Sequence, residues 1–145
     1  MPALPECLQC GTCCFSRLLD YVRVSGEDYA RLGERVDELV WFDGNRAYMR
    51  MVDGHCGALR IEVRSGEFVC DAYMTRPQVC RELARGSGAC RGEIATKSLR
   101  PLSALRKSAL ALMSPPGAPS LSGARHGLTQ LLRAAGQAKA KLPAA

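Results

Sequence analysis

Eight cysteines dominate the chemistry available to this chain of 145 residues. They open as Cys7-Leu8-Gln9-Cys10-Gly11-Thr12-Cys13-Cys14 and continue singly at Cys56, Cys70, Cys80 and Cys90. Thiolate sulfur suits zinc and iron, and two cysteines separated by two residues let one tight turn aim both sulfurs at a single ion. Gly11, directly after the second cysteine, is free to take a positive φ, which would turn backbone N–H groups toward those sulfurs. Cys13 and Cys14 are adjacent, and in extended backbone neighbouring side chains point to opposite sides. One of them is therefore expected to look away from the ion the other binds, so that the run could join two sites. Two four-cysteine sites, or one site and a set of free thiols, both satisfy the count, and the spacing does not choose between them.

An iron–sulfur cluster is the alternative. Cys7-x-x-Cys10-x-x-Cys13 has the spacing of the first three ligands in bacterial ferredoxins, but Cys14 and Phe15 follow at once and the fourth cysteine with its proline is missing. Colour and acid-labile sulfide would mark such a redox protein or enzyme component. His55 could replace a cysteine ligand, and Arg76, Arg81, Arg85 and Arg91 lie close enough in sequence to the later cysteines to offset thiolate charge. No Ser/His/Asp grouping, paired carboxylates or phosphate-cradling glycine loop occurs, so hydrolase and nucleotide-binding readings lack support and no reaction is assignable.

The residues before Cys7 form neither a basic segment nor an apolar stretch of signal-peptide length, and no run approaches the roughly 20 apolar residues that cross a bilayer. A cytoplasmic address without membrane association is the expectation. In that reducing compartment clustered cysteines are metal ligands or reactive groups more often than structural disulfides. Aromatic bulk is scarce, with one Trp, four Tyr and three Phe, so bound metal is expected to help hold the core together. Residues 1–90 carry 11 Arg against 13 Asp and Glu, whereas 91–145 carry 9 Lys and Arg against one Glu. A solvated charged tail accounts for that asymmetry, with nucleic-acid binding ranking behind it.

The elements that must position the cysteines follow from pattern. Residues 7–14 are too short for a regular element and read as a loop around metal. Residues 18–25 alternate like a half-buried strand. Ser25 and Asp28 form a capping box for a helix of about ten residues, weakened by Gly33, with Tyr29, Leu32 and Val36 on one face. Between residues 39 and 70, short strands are divided by Asp43-Gly44-Asn45, Asp53-Gly54 and Ser65-Gly66, which reads as hairpins, with 47–52 as one strand. A second helix is expected near Thr75, where Thr75-x-x-Gln78 makes another capping box, ending at Gly86-Ser87-Gly88 and leaving Cys90 in a loop. Residues 103–113 and 121–141 are helix candidates on either side of a proline-rich stretch.

Taken together, the motifs resemble the YkgJ-type cysteine-cluster family, whose domain carries a CxxCxxCC signature and is associated with zinc or iron chelation. The resemblance rests on residues 7–14, on Cys56-Gly57-Ala58-Leu59, and on Cys70-x-x-Tyr73-x-x-Arg76-Pro77-x-x-Cys80-Arg81. It implies metal chelation and leaves the metal open. A similar domain forms part of bacterial flagellin lysine methylases, but no methyltransferase or radical-enzyme motif is present here. The expectation is thus an α+β fold: a small metal-stabilised domain of short hairpins and two helices at 1–93, and a basic, helical or partly disordered tail at 94–145. Its metal ligands would be Cys7, Cys10, Cys13, Cys14, Cys56, Cys70, Cys80 and Cys90.

Overall fold

Antiparallel hairpins carry the middle of the chain because each is closed by residues able to adopt positive φ. In the computed structural model, which describes residues 3–114, β2 (Val40–Asp43) and β3 (Arg46–Met49) turn at Gly44, φ 58°. The turn between β4 (Met51–Val52) and β5 (His55–Cys56) uses Asp53 and Gly54 at φ 51° and 82°. Gly66, φ 74°, lies in the connection from β6 (Leu59–Glu62) to β7 (Glu67–Cys70). β1 (Arg23–Val24) joins the first hairpin in a three-stranded sheet of order β1-β3-β2, while β4–β5 and β6–β7 remain separate pairs. Of the expected strand at 18–25 only residues 23–24 form a strand, with Arg23 opposite Tyr48 and Val24 opposite Ala47, while the Val22 carbonyl accepts the Met49 N–H at 2.9 Å. The expected strand 47–52 is two strands, because at Arg50 the chain leaves the first sheet and its guanidinium donates to the carbonyls of Glu38 and Val40.

Helices are short. α2 (Gly26–Leu32) starts with the capping box formed by Ser25 and Asp28. It stops at Gly33, whose φ of 59° and ψ of −131° belong to a region open in practice to glycine alone. A 3₁₀ turn (Gly33–Arg35) and α3 (Val36–Leu39) then lead into β2. Farther on come α4 (Gln78–Glu82), α5 (Gly88–Lys97) and α6 (Leu99–Met113). The last contains the helix expected at 103–113, whereas the candidate at 121–141 lies outside the described residues.

Two expectations around α4 are corrected. Thr75 does not cap it: Pro77 holds the cap position and the Gln78 N–H donates 2.9 Å to Oδ1 of Asp28, fifty residues upstream. A carboxylate already fixed in its own capping box has displaced the local hydroxyl. Nor do residues 86–88 terminate this helix, which ends at Glu82. Ser87 instead starts α5, its hydroxyl accepting the N–H of Cys90 at 3.1 Å, so Cys90 lies on a helix rather than in a loop.

The core has two parts. Val22, Val24, Leu32, Leu39, Val40, Met49, Ala58 and Ala72 form the larger, with Cys56, Cys70 and Cys80 packed against it. Phe15, Leu59 and Phe68 form the smaller, touched by Cys14 and Cys56. Thiols therefore occupy positions where a core of this size would hold aliphatic or aromatic side chains.

Candidate metal centre

Residues 7–14 are two tight turns rather than an irregular loop. Cys7–Cys10 forms one helical turn, α1, because the Glu6 carbonyl accepts the N–H groups of Gln9 and Cys10 at 3.0 and 2.9 Å. Gly11 closes it at φ 60° with its N–H bonded to the Cys7 carbonyl at 3.0 Å. That N–H thus serves backbone and not sulfur. A Cβ at position 11 would stand 2.5 Å from Cγ of Phe68, so the glycine also lets α1 lie on β7. Gly11→Ala is expected to cost about 3 kcal/mol, combining left-handed strain with overpacking, read as a lower urea midpoint with the slope unchanged.

A 3₁₀ turn at Thr12–Cys14 follows. It holds Cys13 and Cys14 in one tight turn, where each thiol acts on the titration of the other. Cys13 is drawn down to about 7, chiefly by Cys14. Cys14 is pushed well above the usual thiol range, first by Cys13 and then by burial against the smaller core.

From this pair two neighbourhoods diverge. Cys7, Cys10, Cys13 and Cys90 line one small cavity of about 50 Å³ together with Glu93 and Arg85. Arg85 draws the N-terminal segment to the start of α5: it donates to the carbonyls of Leu4 at 2.7 Å and Pro5 at 3.2 Å and pairs with Glu6 at 2.9 Å. Burial pushes the Cys7 thiol up, and the neighbouring Cys13 adds to this. On the opposite wall, the Tyr21 hydroxyl donates to Glu93 at 2.6 Å, while Lys97 reaches the same carboxylate at 2.5 Å and lies 4.1 Å over the Tyr21 ring. Tyr21 also reaches the Cys13 carbonyl at 3.4 Å, so this network clamps α5 to the 3₁₀ turn. Charge patterning alone does not reveal it, because Tyr21 is 72 residues from Glu93.

Cys56, Cys70 and Cys80 make the second neighbourhood, reached by Cys14. Burial raises all three, Cys80 to about 12 with Cys56, Cys70 and Cys13 reinforcing it, and Cys13 also raises Cys70. Cys56 and Cys70 each receive a backbone N–H two residues on, from Ala58 and Ala72, both 2 % exposed. The backbone N–H groups that lower a thiol here thus belong to Ala58 and Ala72 and not to Gly11. Side-chain volume explains the alanines: each is walled in by the larger core. Arg76, stacked 3.8 Å above Tyr73, lowers Cys70 and Cys80. Arg81 and Arg91 instead donate to the carbonyls of Arg76 and Gly86, at 3.1 and 3.2 Å, and hold backbone. His55 turns its ring against Phe15, centroids 5.6 Å apart, with Nδ1 at the Cys56 carbonyl; His126 lies outside the described residues.

All eight thiols are free. Among the described residues, no three Cys, His, Asp or Glu side chains stand at coordinating range of one point. The donor chemistry nevertheless fits a thiophilic ion, since metal replaces the thiol proton and removes the cost of keeping these sulfurs, most of them half-buried, protonated in one another's company. No described helix is long and apolar enough to cross a membrane.

No curated protein and no solved structure matches the chain. A family model does, over residues 6–98, under the description "CxxCxxCC: Putative zinc- or iron-chelating domain". That span holds every cysteine and both neighbourhoods, and by it the chain belongs to the CxxCxxCC family of zinc- or iron-chelating domains.

Proposed function

We propose that the chain is a metal-binding module holding two ions of zinc or iron, one through Cys7, Cys10, Cys13 and Cys90, the other through Cys14, Cys56, Cys70 and Cys80. The observation that carries this reading is that Cys13 lines the cavity with Cys7, Cys10 and Cys90 while Cys14 packs with Cys56 on the smaller core, Cys13 standing near enough to act on Cys70 and Cys80 as well. Four thiolates around one ion is the usual closed structural arrangement. Binding would draw each set inward and cross-link α1, β5, β7, α4 and α5. The cavity of about 50 Å³ beside Cys7 and Cys90 suits a single ion rather than a multi-atom iron–sulfur cluster. Residues 1–93 would be the metal-binding part in this scheme, with α5 continuing past that boundary to Lys97. Lys97 and Arg91 are engaged internally, which takes two cations away from any nucleic-acid surface on the basic segment.

The test is elemental analysis of full-length protein produced with both metals available. Two equivalents are expected, with no acid-labile sulfide. Cys90→Ser and Cys80→Ser should each lose one equivalent and keep the other. Substoichiometric metal in the unsubstituted chain would defeat the proposal, and joint loss of both equivalents in either variant would defeat the partition.

A further inference from the structure

We infer that the groove between the β4–β5 turn and α6 is a binding site for a small amphiphilic anion, an acid whose carboxylate or phosphate head is joined to a short apolar body. The groove encloses about 600 Å³, within the usual range of about 300–1,000 Å³ for small-molecule sites. One wall is the turn Asp53-Gly54-His55 with Phe15 and Arg17, and the other is a helical stripe of α6 that includes Arg100, Ala104, Lys107 and Ser108. Small residues on that stripe leave the space open. The apolar surface comes from Phe15, Ile61, Leu99 and Ala104.

Charge selects the occupant. Arg17, Arg100 and Lys107 face one acid, Asp53, which stands 4.0 Å from Lys107. Among the described residues, no hydrogen bond or ion pair uses the side chain of Arg17 or Arg100. Residues 115–145 add Arg125, Arg133, Lys139 and Lys141 and no Asp or Glu, so the rest of the chain holds no acidic side chain to neutralise the groove. Two uncommitted guanidinium groups beside an apolar floor suit a ligand with one charged end, guanidinium being suited to carboxylate and phosphate alike. Inorganic phosphate would leave most of the volume and all of the apolar wall unused.

The site does not depend on the metal proposal, and the two fail separately: metal content is measured on the same samples. Fluorescence titration of the full-length, metal-loaded chain with anilinonaphthalene sulfonate, an aromatic anion of this class, is expected to show saturable binding that octanoate displaces and equimolar inorganic phosphate does not. Arg100→Glu should weaken binding about ten-fold or more, as loss of a charge-assisted contact does. Ser108→Trp, which fills the groove from the helix, should abolish it, with metal content and circular dichroism unchanged. Arg17→Glu serves if either variant fails to fold. Absent or non-saturable binding, indifference to these substitutions, failure of octanoate to compete, or equal competition by phosphate would each overturn the inference.

Discussion

Stripping the two proposed ions from the full-length chain with a chelator is expected to remove about 10 kcal/mol or more of folding free energy, the scale measured for structural zinc in small domains. A domain of this size has roughly 5–15 kcal/mol in all, so the stripped chain should be unfolded or barely folded at room temperature. The physical basis lies in what the sulfurs replace. The larger core contains no aromatic residue among its buried members, and the smaller is two phenylalanines and a leucine, with cysteines filling in around both. Without metal, those half-buried thiols are weakly cohesive. With it, on the proposed binding, they would become metal–thiolate cross-links between elements up to about eighty residues apart, such as α1 and α5. Circular dichroism and urea denaturation before and after chelation provide the measurement, with metal removal verified on the same sample. An unchanged cooperative transition in demonstrably metal-free protein would contradict the role assigned to the cysteines.

Replacing Asp28 with Ala is expected to destabilise the domain by about 3–5 kcal/mol, the range for breaking a buried charged network. Asp28 is 2 % exposed and receives the Ser25 N–H at 3.0 Å, the Gln78 N–H at 2.9 Å and the Arg31 guanidinium at 2.9 Å. One carboxylate thereby caps α2 and α4 together and aligns the helix that carries Cys80. Its removal leaves two inward-facing N–H groups without acceptors. Asp28→Asn keeps the shape and loses the charge, so it should fall between wild type and Ala in a urea titration. If Asp28→Ala shifts stability by no more than an exposed carboxylate would, the carboxylate is not the joint between the helices.

Acid should expose the same residue. Burial opposes the Asp28 charge, but the Ser25 N–H and hydroxyl, the Gln78 N–H and Arg31 outweigh it and hold the carboxyl below its ordinary range. A group depressed in the folded state contributes its full stability above its unfolded pKa, about 3.9, and loses it as pH falls through the lower folded value. Protonation of the cysteines also releases metal in acid, so the informative quantity is the difference between wild type and Asp28→Asn in metal-free or metal-saturated samples alike. That difference should shrink as pH drops below about 4.

Local sequence by itself determined the cysteine inventory, the α+β class and the hairpin turns. Eight thiols in this spacing are a matter of composition and motif, and residues such as Asp43-Gly44 and Asp53-Gly54 specify turn geometry through backbone sterics within a few positions. The capping box at Ser25 and Asp28 formed for the same reason: both partners lie in one helical turn. Tertiary structure alone decided the rest. Thr75 had an equally good local pattern, but α4 was capped by Asp28 across fifty residues; Ser87, read as part of a terminator, became a cap and carried Cys90 onto a helix beside Cys7. Which sulfurs are neighbours depends on how α1, β5, β7, α4 and α5 pack, through contacts such as Arg85 to Leu4 and Tyr21 to Glu93 that no sequence window spans. Spacing makes these cysteines candidates for metal, and packing decides which of them stand as neighbours.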